Sequence, residues 1–172
     1  MKRLARNILI LLAVAVVVVL ADQVTKNMVA TRATVGQSWD VAPWLEPIFR
    51  ITFATNTGVA FGLFPGGGNI FAVISAVVIL ILFVYYWQLP SDQWVMRVVL
   101  ALSMGGALSN LIDRLSRGFV VDFIDLNFWP LHGWPIFNLA DSSVVAGATL
   151  LAVLMLLEER REQSGQQIVE GS

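Results

Sequence analysis

The sequence predicts an all-α membrane protein: four transmembrane helices, a small extracytoplasmic β-sheet and long outer loops. Of its 172 residues, 57% are hydrophobic and only 13% are charged. Soluble domains average about 25% charged and about 45–50% apolar residues. Four windows also approach the length of about 20 mostly apolar residues that a helix needs to cross a bilayer. We therefore expect one integral membrane domain over residues 1–172.

Composition excludes several functional classes. A net charge of −1 provides no basic excess for binding phosphates, so we expect no nucleic-acid partner. The chain contains no cysteine, which excludes disulfides, thiolate metal sites and a cysteine nucleophile. Its single histidine, His132, excludes a multi-histidine zinc site.

The predicted spans differ in how clearly the sequence marks them. The second is the most apolar, whereas the first, third and fourth contain polar residues, and the four cover residues 8–28, 70–87, 95–114 and 138–157. The connection before the second span alternates apolar and polar residues from Phe49 to Phe53, which predicts a β-strand. Pro65 and the glycines at 66–68 then break the chain.

Basic residues predict the orientation of the spans. Lys2, Arg3 and Arg6 precede the first span, which places the N-terminus in the cytoplasm. Four spans return the C-terminus to the same side, and the two long connections face outward. A basic start followed by an apolar run also fits a cleavable signal peptide ending at Ala21. That alternative would leave the polar residues of the other spans without a partner helix.

Polar residues cluster at one predicted membrane level, the outer ends of the spans. Ionisable side chains in a membrane are costly and indicate a functional site. Two crowded carboxylates share a proton, so one can activate water while the other polarises a carbonyl. No cysteine or histidine system competes with this acid–base chemistry. The clustered residues are Asp22, Asn110, Asp113, Arg114, Asp122, Asn138 and Asp141.

Some of these residues also have purely structural explanations. Asp141 falls in the first turn of the fourth helix, where the helix dipole favours a carboxylate. Lys26 lies four residues after Asp22, a spacing that predicts an ion pair rather than a Ser-Lys dyad.

The acids and bases nearer the outer loops allow similar structural interpretations. Asp113 and Arg117 have the spacing of a surface ion pair, and Asp125 is expected to be solvated. Arg114 has two interpretations: it holds substrate carbonyls, or it pairs with Asp113 or reaches the interface.

Two other functions remain open at this level. In a metal-dependent membrane transferase, Asp122, Asp141 and Asp22 would supply oxygen ligands for Mg²⁺. No phosphate-binding glycine loop accompanies them, and Arg114 would repel a cation. In a transporter or non-enzymatic subunit, the carboxylates would relay protons near the bilayer midplane, whereas here they lie at one end.

Five ordered segments resemble the motifs of bacterial lipoprotein signal peptidase (signal peptidase II). The resemblance covers nearly the whole chain. One departure is Ser109, where family members usually carry glycine. The segments are Asp22-Gln23-Val24-Thr25-Lys26, Asn56-Thr57-Gly58-Val59-Ala60-Phe61-Gly62, Gly105-Gly106-Ala107-Leu108-Ser109-Asn110-Leu111-Ile112-Asp113-Arg114, Val120-Val121-Asp122-Phe123 and Phe137-Asn138-Leu139-Ala140-Asp141-Ser142.

The resemblance implies an aspartyl intramembrane peptidase of the bacterial inner membrane with both termini in the cytoplasm. Such an enzyme cleaves diacylglyceryl-modified prolipoproteins before the lipidated lipobox cysteine. It needs no metal or other cofactor, meets its substrate among membrane lipids, and is the target of globomycin-type inhibitors. We also expect it to act as a monomer.

The resemblance also implies residue roles. Asp122 and Asp141 would form the catalytic pair. The residues that would line the substrate groove or support the pair are Asn56, Asn110, Arg114, Asn138, Asp22 and Lys26.

Overall fold

The computed structural model describes residues 2–58, 68–90 and 92–170. Its elements are helices α1 (Lys2–Arg32), α2 (Gly68–Gln88), α3 (Trp94–Arg117) and α4 (Leu139–Glu170), and strands β1 (Ser38–Trp39), β2 (Phe49–Asn56) and β3 (Val120–Leu126). All four helices are long and apolar enough to cross a membrane, which confirms the predicted fold class. The helices extend beyond the predicted spans. Residues 59–62 of the second motif and the break at Pro65 lie outside the described residues.

Helix α3 occupies the centre of the bundle. Within its membrane-spanning window 61% of residues are buried, against 6% for α1 and 11% for both α2 and α4. Glycines allow this close packing. A Cβ on Gly105 would lie 3.0 Å from atoms of Ala15 and Val18 in α1, and one on Gly106 would overlap the carbonyl oxygen of Ala140 in α4. Position 106 therefore sets how closely α4 approaches α3.

The three strands form an antiparallel sheet in the order β1-β2-β3. Phe53, Val121 and Phe123 form a buried cluster with Val29 of α1, which fastens the sheet to the bundle. Because side chains alternate along a strand, Asp122 points to the opposite face from its two neighbours. The sheet lies where α1 and α3 end and α4 begins, and we call this the sheet end.

The opposite end of the bundle is held by Arg97, a buried cation with no carboxylate partner in the described structure. Its guanidinium donates to the carbonyl oxygens of Tyr86 (2.8 Å) and Leu89 (2.6 Å) at the end of α2. It also lies 4.9 Å from the centre of the Tyr86 ring. The negative end of the α2 dipole thus stabilises a positive charge that the membrane would otherwise disfavour.

Replacing Gly106 by alanine tests how closely α3 and α4 pack against each other. The added methyl group collides with backbone rather than a flexible side chain, so we expect Gly106→Ala to lower the free energy of unfolding by about 1–3 kcal/mol. Thermal unfolding in detergent measures the loss. Gly133→Ala is the matched control, because a Cβ there meets nothing within 4 Å. Equal stability of the two variants would contradict this packing.

Candidate active site

A reciprocal capping pair opens helix α4 and holds Asp141. The Asn138 side-chain oxygen accepts a hydrogen bond from the Asp141 backbone N–H (2.8 Å). In return, the Asp141 carboxylate accepts one from the Asn138 backbone N–H (3.3 Å). This is the geometry of a capping box. The interpretation of Asp141 as a residue that stabilises its helix is therefore correct, and the same contacts fix its carboxylate in space.

Asn138 also reaches the second carboxylate. Its side chain is fully buried, and its Nδ2 donates to Oδ1 of Asp122 (2.6 Å). The other Asp122 oxygen accepts from Nδ2 of Asn56 at the end of β2 (3.1 Å). Asn56 is itself oriented, because its Oδ1 accepts the backbone N–H of Gly58 (3.0 Å). One asparagine thus contacts both acids, and the structure brings Asp122 and Asp141 together as the sequence predicts.

Asn110 connects Asp141 to the interior of the bundle. Its Nδ2 donates to Oδ1 of Asp141 (2.8 Å), while its Oδ1 accepts from Nζ of Lys26 (2.8 Å) and Nδ2 of Asn138 (3.2 Å). The lysine has only donors, so it fixes which way the amide faces.

Lys26 belongs to a buried ion cluster. Its Nζ lies 2.7 Å from Oδ2 of Asp22 and 2.9 Å from Oδ2 of Asp113, and all three side chains are completely buried. With Asn110 as third acceptor, every donor of the ammonium group is used. The predicted Asp22–Lys26 pair is confirmed. Asp22 also accepts the backbone N–H of Ala140 in the first turn of α4 (2.9 Å).

Asp113 is not the surface residue that its spacing with Arg117 suggests. The Arg117 contact exists, at 3.3 Å, but the Asp113 side chain has no exposed surface. It faces α1 and β3 and accepts hydrogen bonds from Gln23 (3.1 Å) and from the backbone N–H of Val121 (3.1 Å). Position 113 follows Asn110 by three residues, so helical spacing could have placed it beside the site.

Ser109, the departure from the usual glycine, joins the same network. Its hydroxyl donates to Oδ2 of Asp22 (2.7 Å) and accepts from Nε2 of Gln23 (3.1 Å). Its side chain is fully buried. The extra hydroxyl therefore has two partners, and it adds a donor to an ion cluster that is closed to water.

Asp125 differs from expectation as well. It is not freely solvated: its side chain is 15% exposed and pairs with Nε of Arg50 at 3.0 Å. Thr52 donates to the same carboxylate oxygen (2.7 Å). Both partners lie on the neighbouring strand β2, and neither of them is a hydrogen-bond partner of Asp122.

Arg114 does not pair with Asp113, which is occupied by Lys26 and Arg117. One guanidinium nitrogen donates to the Ser75 hydroxyl of α2 (3.3 Å), and its buried Nε has no partner.

Burial perturbs the acidity of Asp122. Loss of solvent and the nearby Asp141 carboxylate raise its pKa to about 7 from an ordinary value of 3.8. Hydrogen bonds from Asn56 and Asn138 and the charge of Lys26 oppose this rise. A carboxyl group with such a pKa can hold or release a proton near neutral pH.

Among the described residues, no three acidic or histidine side chains are grouped to hold a metal ion. Asp22, the third oxygen donor that a magnesium site would require, instead contacts Lys26, Ser109 and the start of α4.

Comparison with known proteins identifies the family. The family profile described as "Signal peptidase (SPase) II" matches residues 14–157. The chain belongs to this family. This confirms the resemblance seen in the motifs, and membership of the signal peptidase II family makes the chain a membrane-spanning peptidase.

Individual relatives agree. A "Lipoprotein signal peptidase" of Desulfitobacterium hafniense (strain DSM 10664 / DCB-2) is 42% identical over 142 residues, covering 83% of this chain and 89% of that protein. One from Halothermothrix orenii is 41% identical over 147 residues, covering 86% and 95%. A solved bacterial membrane enzyme has a TM-score of 0.74 and 36% identity, covering 87% of this chain and 88% of its own.

The raised pKa of Asp122 predicts how a substitution changes stability with pH. Between about pH 4 and pH 7 the folded state keeps a proton that the unfolded state has lost, so stability falls as pH rises through this window. Asp122→Asn carries no such titration. Its melting temperature in detergent is expected to exceed that of the parent at about pH 8, by more than at about pH 5. A difference independent of pH would show that Asp122 has an ordinary pKa.

Proposed function

We propose that this signal peptidase II is an aspartyl endopeptidase in which Asp122 and Asp141 are the catalytic pair. The observation that carries the proposal is that Asn138 contacts both carboxylates in a buried site, where the pKa of Asp122 rises to about 7. Perturbed carboxyl pairs of this kind are typical of acid–base catalysis.

The arrangement supports general acid–base hydrolysis of a peptide bond. The pair shares one proton, which we place on Asp122, and Asp141 acts as the base. Asp141 takes a proton from a water molecule as the water oxygen attacks the scissile carbonyl carbon. Asp122 donates its proton to the developing oxyanion. When the C–N bond breaks, the proton held by Asp141 passes to the leaving amine, and the oxyanion's proton returns to Asp122.

The other polar residues orient this pair or contact the substrate. Asn56, Asn110 and Asn138 donate to the carboxylates and keep their oxygens directed toward the site. Lys26 holds the Asn110 side chain, and Asp22 holds the start of α4 through the Ala140 backbone N–H. Arg114 is the substrate-binding cation, because its guanidinium lies near enough to Asp141 and Asp122 for their charges to act on it.

The substrate class follows from the family. Its relatives are named lipoprotein signal peptidases, so the substrate here is a diacylglyceryl-modified prolipoprotein, cut before its lipidated lipobox cysteine. A signal helix lying in the bilayer would present its scissile bond at the sheet end. Globomycin-type inhibitors would occupy the same groove. One chain contains both aspartates and all the residues that hold them, so a monomer suffices.

The location follows from charge and geometry. Lys2, Arg3 and Arg6 lie at the end of α1 remote from Asp122 and Asp141. Basic residues favour the cytoplasmic side, so both termini lie in the cytoplasm and the sheet end lies at the outer face of the bacterial inner membrane.

Asparagine substitutions test the catalytic pair. Asp122→Asn and Asp141→Asn preserve volume but remove the shared proton, so each is expected to lower kcat by at least about 10²–10⁴-fold. The double variant is expected to be little worse than either, because the two residues act as a unit. Cleavage of a lipid-modified prolipoprotein in detergent measures the rates.

The control variant is Asp125→Asn, which removes a partly buried carboxylate of the same strand outside the pair and should cleave normally. Parent activity is expected to survive a chelator of divalent cations. Normal cleavage by a folded Asp122→Asn or Asp141→Asn variant would contradict the proposal, and loss of parent activity with the chelator would favour a metal-dependent reaction.

A further inference from the structure

Asp113 forms four hydrogen bonds or ion pairs in a position that neither water nor substrate reaches. Its side chain is completely buried. One oxygen, Oδ2, accepts from Nζ of Lys26 (2.9 Å) and from the backbone N–H of Val121 (3.1 Å). The other, Oδ1, accepts from Nε2 of Gln23 (3.1 Å) and Nε of Arg117 (3.3 Å). Two helices and a strand therefore meet at one carboxylate.

The two donors to Oδ2 lead to the two catalytic aspartates by separate routes. Lys26 continues through Asn110 to Asp141, with both of those hydrogen bonds 2.8 Å long. Val121 is the residue immediately before Asp122, so its N–H belongs to the backbone that carries the second acid. A single oxygen atom thus constrains the position of Asp122 relative to that of Asp141.

We infer that Asp113 is a positioning residue that sets the placement of Asp122 relative to Asp141. The inference rests on the proposed function, because it gives Asp113 a role through the catalytic pair. Asp113 itself does not touch the substrate. Near-attack geometry is demanding, and a misplacement of about 1 Å can cost about 10²-fold in rate.

Only a carboxylate satisfies this position. Four donors face its two oxygens, two on each, and an amide would direct its own NH2 group at two of them in either orientation. The charge also matters. Asp22 and Asp113 balance Lys26 and Arg117, and the remaining charged groups nearby are Arg114 of α3 and the catalytic acids on β3 and α4. Loss of the Asp113 charge leaves the cluster net positive.

The test is Asp113→Asn, compared with the parent and Asp125→Asn. We expect kcat to fall by about 10²-fold while KM stays within about threefold, because substrate contacts are intact and the reacting groups are misplaced. The freed charge of Lys26 lowers the pKa of Asp122, so the pH profile of cleavage moves to lower pH. Thermal unfolding verifies that the measured enzyme is folded. Asp125→Asn is expected to match the parent in kcat, KM and pH profile.

A purely structural role would reduce the amount of folded enzyme and leave its kcat and pH profile unchanged, and that result would overturn the inference. If Asp113→Asn does not fold, a second variant, Gln23→Leu, tests the inference instead. It removes one donor to Oδ1, keeps every charge and changes a side chain that is only partly buried. A kcat reduced several-fold with an unchanged pH profile and KM is then expected, and a kcat equal to that of the parent would overturn the inference.

The two proposals fail in different ways. If Asp113→Asn behaves like the parent while Asp122→Asn is inactive, the catalytic pair stands and only the role of Asp113 is wrong. If Asp122→Asn cleaves normally, the proposed function itself fails.

Discussion

A lysine ammonium group that is closed to solvent organises the sheet end of this protein. Lys26 lies on α1, and its three acceptors are Asp22, Asp113 and Asn110. A buried charge costs several kcal/mol unless its partners are well placed. The chain must therefore hold α1 and α3 in one register, and through Asp22 and the Ala140 N–H it must also hold the start of α4. The contacts that Lys26 requires thereby hold together the three helices that carry the site.

Under the proposed function, this arrangement separates the charged groups that hold the site from the two carboxylates that carry out the chemistry. The carboxylates of Asp22 and Asp113 contact the ammonium group of Lys26 directly, which holds both side chains in place. Asp122 has no cation within ion-pair distance in the described structure. It is buried near Asp141, and its pKa rises to about 7. The four neighbouring acids therefore fall into two groups, because only Asp22 and Asp113 contact Lys26.

Much of this could be predicted from the sequence, because the relevant signals are local. Hydropathy and length marked four spans, and the i, i+4 spacing marked the Asp22–Lys26 pair. Asp113 and Asp125 differ from the sequence expectation for a common physical reason. Whether a carboxylate at a helix end or in a strand is solvated depends on which neighbour covers it, and that is a property of packing. The neighbours that cover these acids come from other elements: Gln23 and the Val121 amide beside Asp113, and Arg50 beside Asp125. No local sequence pattern predicts these contacts. The hydrogen bond from the Ser109 hydroxyl to Asp22 likewise depends on the packing of α1 against α3, so the sequence alone does not predict it.

Infrared difference spectroscopy of the detergent-solubilised enzyme across a pH titration detects directly whether Asp122 carries a proton in the folded state. We expect one carboxyl group to remain protonated in the folded enzyme well above its usual pH range and to lose its proton near pH 7. The corresponding band should be absent from Asp122→Asn and present in Asp125→Asn. If the parent enzyme shows no protonated carboxyl group between about pH 5 and pH 7, or if the band survives in Asp122→Asn, the proposed shared-proton pair is wrong.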